Sequence, residues 1–246
     1  MSKVKDFMRR ELTLCISFVA AVISCFFVPP DGAYLGYLDL RTLALLYALF
    51  SKMHREGVIS IESDVEKPES SPIFSKYPNI SKDSKVVNFI GDTLRVYLTT
   101  GDPADIDSLM DVDINTMREE GILPAHAVSH MAESMPGMGI VACVLGVVLA
   151  MGKINEPPEI LGHYIAAALV GTFFGILCCY GLFGPMGSKL ENYVAEEHFY
   201  YHSVKEAVAA AIRGSTPLIA VEYGRRAIPY PFRPAFAEME ERLKSG

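Results

Sequence analysis

Ser134-Met-Pro-Gly-Met-Gly-Ile-Val-Ala-Cys-Val-Leu-Gly-Val-Val-Leu-Ala-Met-Gly152 contains no Asp, Glu, Lys or Arg. Nor does Ile160-Leu-Gly-His-Tyr-Ile-Ala-Ala-Ala-Leu-Val-Gly-Thr-Phe-Phe-Gly-Ile-Leu-Cys-Cys-Tyr-Gly-Leu-Phe-Gly-Pro-Met-Gly-Ser188. A helix needs about 20 mostly apolar residues to cross a bilayer core. Two such runs, separated only by Lys153-Ile-Asn-Glu-Pro-Pro-Glu159, read as a pair of spans joined by a hairpin. A third uncharged run covers residues 12–30. With half of 246 residues apolar and a positive mean hydropathy of +0.25, the chain reads as an all-α integral membrane protein rather than a soluble enzyme.

Working outward gives four parts: an N-terminal apolar segment (1–30), a polar helical region (31–133), the transmembrane hairpin (134–188) and a polar helical tail (189–246). The run from Leu12 meets Pro29-Pro30-Asp31 without a small-x-small cleavage pattern, so no cleaved signal is expected. In the polar region, Leu43, Leu46, Tyr47, Leu49 and Phe50 recur at helical spacing and Gly57 ends the pattern. Val86, Phe89, Ile90, Leu94 and Tyr97 form a second stripe, closed by Gly101-Asp-Pro103. Asp102 is placed to cap a third helix, expected to end near Glu120, and Lys67 to Pro72 reads as a loop. In the tail, Val194–Ile212 and Ala235–Lys244 read as two helices.

Basic residues set the orientation. Residues 51–133 carry eight Lys plus Arg, residues 189–246 carry eight and the hairpin 153–159 carries one. The Lys and Arg count, far higher in both polar regions than in the hairpin, places those regions in the cytoplasm and the hairpin outside. The first run fits less simply, because a single crossing would put Lys3, Lys5, Arg9 and Arg10 outside. It lies in the interface, or the charge rule is overridden, or another span precedes it.

The formal charge of −7 leaves no basic surface for nucleic acid. Cys15, Cys25, Cys143, Cys178 and Cys179 all sit in apolar runs without CxxC spacing and read as reduced packing residues. His126/His130 and His198/His202 have i,i+4 spacing, but no HExxH surrounds them, so solvated helix faces explain them better than a metal. No nucleophile elbow, phosphate loop or nucleotide fingerprint is present. The reading is therefore of a non-enzyme that needs no cofactor.

Glycine is dense in the two long runs, and Gly171-Thr-Phe-Phe-Gly175 forms a GxxxG, which fits close helix packing. Neither run contains a carboxylate, so an ion path would depend on a partner for its titratable group. Thr172 is either a hydroxyl on such a path or bonded to its own helix one turn back, the latter weighing more on residues alone. Pro136 and Pro185 read as helix-boundary punctuation or as hinges. His54, Arg55, Glu56 and Glu62 form a charged cluster, either a solvated face or a docking patch.

Several spaced motifs resemble the MotA family of flagellar stator subunits, within the wider MotA/TolQ/ExbB group. They include Leu45-Leu-Tyr-Ala-Leu-Phe50, Ile61-Glu-Ser-Asp-Val-Glu66, Met135-Pro-Gly-Met-Gly139, Pro157-Pro-Glu-Ile-Leu-Gly162, Val170-Gly-Thr-Phe-Phe-Gly175, Tyr180-Gly-Leu-Phe-Gly-Pro185 and Ile219-Ala-Val-Glu-Tyr-Gly224. The resemblance covers roughly residues 40–243. It implies an ion-conducting, bacterial inner-membrane stator subunit that couples ion flow to torque. It further implies a five-membered ring of this chain around a MotB-like plug-helix partner that supplies the essential Asp.

By the same resemblance, Thr172, Cys143 and Tyr180 belong to the ion channel, and Pro136 and Pro185 are conformational prolines. Glu62, with Arg55 and His54, faces the rotor protein FliG. The sequence departs from the family pattern in three places. His54 stands where the family has Arg. Cys143 stands where sodium-driven relatives have Thr, and a thiol is a poor sodium ligand, so a proton is expected. One span instead of two precedes the cytoplasmic helix, pointing to a shortened or divergent N-terminal membrane region. The alternatives are an ExbB/TolQ-type energiser and a non-conducting truncated paralogue.

Overall fold

The computed structural model describes residues 33–245, with side chains from 40 to 244, and these fall into two compact units. The expected apolar segment 1–30, with Cys15 and Cys25, lies outside the described residues. The described chain is helical, with no strand. Its longer elements are α1 (Ala33–Glu56), α2 (Ser84–Thr100), α3 (Pro103–Met151), α4 (Pro158–Leu177), α5 (Gly184–Ile212), α6 (Pro217–Ala227) and α7 (Phe236–Ser245). A π-helical turn, Cys178–Phe183, joins α4 to α5.

One unit comprises, among the described residues, 33–120 and 194–245. Its core is built as in a water-soluble domain: Leu43, Leu46, Leu49 and Phe50 of α1 are buried with Ile90 and Leu94 of α2, Val204 and Val208 of α5 and Val221 of α6. Each fully buried side chain of this size contributes about 1.5–3 kcal/mol. Thr42, Tyr200 and Lys205 find polar partners inside it. Thr42 Oγ1 and the Tyr200 hydroxyl lie 2.9 Å apart, and the Tyr201 ring meets Phe89 edge-on at 5.2 Å. The buried Lys205 ammonium reaches Asp111 at 2.6 Å and Asp107 at 3.6 Å.

The local signals explain the element ends. The Asp83 side chain accepts from the amides of Lys85 and Val86 to start α2. Gly101, at φ 71°, ends it, its amide bonding the Tyr97 carbonyl; a side chain would be strained there. Asp102 accepts from the Ala104 amide at 2.9 Å, as its capping position requires. The stretch read as a loop, Lys67 to Pro72, contains one short turn, Pro68–Ser70, and leads into another, Pro72–Ser75, capped by Ser71.

α3 differs from the sequence reading. The helix expected to close near Glu120 continues to Met151, with Pro124 and Pro136 inside it. Each proline removes one amide donor from the ladder, yet the flanking residues form helix on both sides. Pro136 is therefore not a helix boundary.

The second unit contains residues 121–193 among those described. Its large apolar side chains, including Val144, Leu145, Leu149, Leu169, Val170 and Phe174, are exposed. Its buried positions are small: Ala125, Ala132, Gly139, Ala150, Ala168, Gly175, Gly181 and Gly187, with Cys178 and Cys179. Exposing Leu and Phe while burying Gly and Ala is the arrangement expected of helices solvated by lipid.

Candidate functional site: a glycine seam and a charged turn

Within residues 121–193, α3 and α4 meet along a seam of small residues. A Cβ added at Gly139 would lie 2.8 Å from the Gly171 carbonyl oxygen and 3.2 Å from the Gly175 Cα. One at Gly175 would lie 2.6 Å from the Met135 carbonyl oxygen, and one at Gly146 would strike Ala168 Cβ at the same distance. Both glycines of the 171–175 motif thus face α3, and packing explains the motif. Gly187, on α5, approaches Ser129 so closely that no side chain fits.

Thr172 sits in this seam, half-buried. Its hydroxyl donates to the Gly139 carbonyl on the facing helix at 3.4 Å. The intrahelical bond favoured from sequence gives way to an interhelical one, because the glycines bring the α3 backbone within reach. Cys143 lies half-buried one turn beyond Gly139, its amide 3.5 Å from where a Gly171 Cβ would stand. Tyr180 does not join them within this chain. It is 73% exposed and belongs to the π turn, where the Gly184 amide bonds the Cys179 carbonyl five residues back. Pro185 is the second residue of α5, directly after that wide turn, and Pro136 lies one turn before Gly139 inside α3.

The charged cluster lies in the other unit. His54, Arg55 and Glu56 are exposed in the last turn of α1, and Arg55 Nε donates to the Ser51 carbonyl at 3.2 Å. Gly57 leaves the helix at φ 90°, and a helical turn follows over Glu62–Glu66, with Glu62 exposed and Ile61 and Val65 buried. Sequence reasoning missed what joins the two pieces. Asp64 is buried. Its Oδ2 accepts from Lys52 Nζ at 2.6 Å and its Oδ1 from Ser71 Oγ at 2.6 Å. Nothing marked Asp64 among the charges around it, since Glu62 and Glu66 offer the same charge at the same spacing.

The histidine pairs assemble no metal set: among the described residues no three His, Cys, Asp or Glu side chains converge on one point. His198 and His202 face each other at 6.4 Å, and burial, aided by Arg118 and His202, pushes His198 below its usual pKa. Glu222 is held below the usual carboxylate range, chiefly by the hydrogen bond from Arg225. Arg225 grips it through two nitrogens at 2.7 Å and reaches the Pro234 carbonyl at 2.8 Å.

The same seam and charged turn lie in a chain that is 40% identical over 210 residues to motility protein A of Escherichia coli, a match covering 85% of this chain and 70% of that one. The chain belongs to the MotA/TolQ/ExbB proton channel family. The model of that family matches residues 82–202, which include the Gly139–Thr172 seam. Chemotaxis protein LafT of Vibrio parahaemolyticus is 32% identical over 215 residues, covering 87% of this chain and 75% of that one. The structure of C. jejuni MotAB has the same fold as this member of the family, with a TM-score of 0.64 at 18% identity, over 89% of this chain and 84% of that one. In this proton channel family the chain takes the part of a flagellar motor stator subunit.

Proposed function

We propose that protons cross the membrane along the α3–α4 seam of this chain, against a MotB-like partner helix that supplies the titratable Asp. The observation that carries this is the Thr172 hydroxyl, set in a wall of Gly and Ala in runs that contain no carboxylate of their own. Its oxygen has lone pairs to spare after donating to Gly139, and can hold water through which a proton reaches the partner's carboxylate. Cys143 and Tyr180 complete the channel wall in a ring of five copies. Pro136 and Pro185 are the points at which the inner helices bend as the partner Asp is protonated. The hairpin 153–159 faces outward across the bacterial inner membrane, residues 31–133 and 189–246 are cytoplasmic, and Glu62, Arg55 and His54 meet the rotor protein FliG.

The wall favours a proton over sodium. It offers Thr172 and the thiol of Cys143, whereas a dehydrated sodium ion needs several oxygen ligands. Stripping a cation of water without replacement costs several kcal/mol. The test varies external sodium at fixed pH and potential, then collapses the proton gradient with an uncoupler at constant sodium. Rotation should follow the proton gradient alone. Rotation that tracks sodium and survives the uncoupler would refute the assignment. In the companion experiment, Thr172→Val should reach the membrane at normal levels and lower the flux.

A further inference from the structure

We propose that Asp64 is a positioning residue for rotor engagement: clamped by Lys52 and Ser71, it fixes the turn bearing Glu62 against the end of α1 that bears His54 and Arg55. This rests on the reading that these exposed side chains meet the rotor. Lys52 lies two residues before His54, and Asp64 two residues after Glu62, so one bond of 2.6 Å ties the two halves of the charged edge together. The second bond, from Ser71 Oγ, ties the same carboxylate to a third segment. Ser71 also caps the Pro72–Ser75 turn, accepting from the amides of Ile73 and Phe74 at 3.2 and 3.4 Å. The far side of the Glu62–Glu66 turn is held as well, since Arg95 of α2 donates to the carbonyls of Val65 and Glu66 at 3.0 and 3.3 Å.

Stability alone does not account for this carboxylate. The residue is 2% exposed, and taking a charge out of water costs free energy that its partner returns only when the geometry is good. An apolar pair of similar volume often serves folding as well or better. Ile61 and Val65, both fully buried, already anchor the turn by packing. What the ion pair adds is direction. Packing tolerates small rotations, whereas two charge-assisted bonds to opposite oxygens of one carboxylate admit a single placement. Glu62 and Arg55 are exposed on flexible side chains, so the spacing between their charges is set by the backbone beneath them. That backbone is what Asp64 locks.

The test compares Asp64→Asn, Ser71→Ala and the double variant Lys52→Met/Asp64→Leu with the parent chain, each in the full stator complex. Four quantities are read: proton flux at matched membrane level, the dwell time of fluorescently tagged stators at the motor, amide exchange over residues 57–66, and thermal stability. Flux should stay within about two-fold in all variants, because none lies on the proposed ion path. Asp64→Asn should shorten the dwell on the order of ten-fold and speed exchange by a similar factor. Ser71→Ala should do less. The double variant should recover thermal stability but not dwell, an outcome that a merely structural role does not give. Parent-like dwell in Asp64→Asn, or full recovery in the double variant, overturns the proposal. Should Asp64→Asn fail to accumulate, Ser71→Ala and the double variant decide it by the same criteria. Glu62→Lys separates the two levels of argument. If it leaves dwell unchanged, the rotor reading itself fails. If it shortens dwell while the Asp64 variants do not, only the clamp fails.

Discussion

Residues 121–193 and the unit formed by 33–120 with 194–245 use the same helical geometry with opposite side-chain placement. In the first, Leu145, Leu149 and Phe174 point away from the protein and Gly139, Ala168 and Gly175 lie inside; in the second, Leu46, Phe50 and Ile90 are inside. The difference is the solvent. Lipid is as apolar as leucine, so helices in it gain little by hiding leucine and gain instead by approaching closely. Water rewards burial of the largest apolar groups. One chain therefore obeys two packing rules, and a substitution of the same kind should have different consequences in the two units.

The largest effect is expected where the seam is tightest. Gly175→Leu forces a side chain onto the Met135 carbonyl and the Gly139 backbone. It should cost on the order of 3 kcal/mol or more and abolish recovery of assembled complex from detergent-extracted membranes. Gly162→Leu, at a position open to 4 Å, should leave recovery unchanged. Equal recovery of both variants would break the contrast drawn above.

Removal of a large residue should show the reverse preference. Leu46→Ala, in the core of the other unit, should cost about 2–5 kcal/mol in thermal or denaturant unfolding. Leu145→Ala, on the outward face of α3, should cost well under about 1 kcal/mol within this chain, because it leaves no cavity. A similar loss for both would mean that the outward face is covered by protein in the assembly.

A smaller, pH-dependent effect belongs to the water-exposed unit alone. Folding holds Glu222 below its ordinary pKa of 4.5, chiefly through Arg225. Its contribution is thus present above pH 4.5 and is lost as pH falls through the lower folded value. Glu222→Gln should reduce stability by about 1 kcal/mol at neutral pH and remove part of the acid-side slope, as read from unfolding midpoints across pH 3 to 7. The smallest effect is that of Thr172→Val. It removes one long interhelical bond, worth about 0.6 kcal/mol. Thermal stability of the complex should hardly move, so any large fall in flux would come from the path and not from the fold.

The sequence made some of this legible for identifiable reasons. Gly101 and Asp102 mark their helix ends through local bonds, the Gly101 amide to the Tyr97 carbonyl and the Asp102 carboxylate from the Ala104 amide, and local signals can be read without the fold. The two uncharged runs announce spans because charge is so costly in lipid. Pro136 misled, since proline predicts a break wherever a helix has an alternative, and α3 continues on both sides of it. The Thr172 bond to Gly139 and the Asp64 bonds to Lys52 and Ser71 depend on segments meeting in space. No pattern of nearest neighbours encodes them.

The π turn at Cys178–Phe183 carries a consequence for how this helix can change over generations. A residue inserted into a regular helix swings everything after it by about 100°, which would carry Gly187 away from Ser129. A turn that is already one residue too wide works as a local register, able to take up or give back a residue while the helices on either side keep their facing surfaces. Single-residue insertions and deletions should therefore be tolerated at Cys178–Phe183 and purged from 168–175, so that lineages differing in length along this helix differ there.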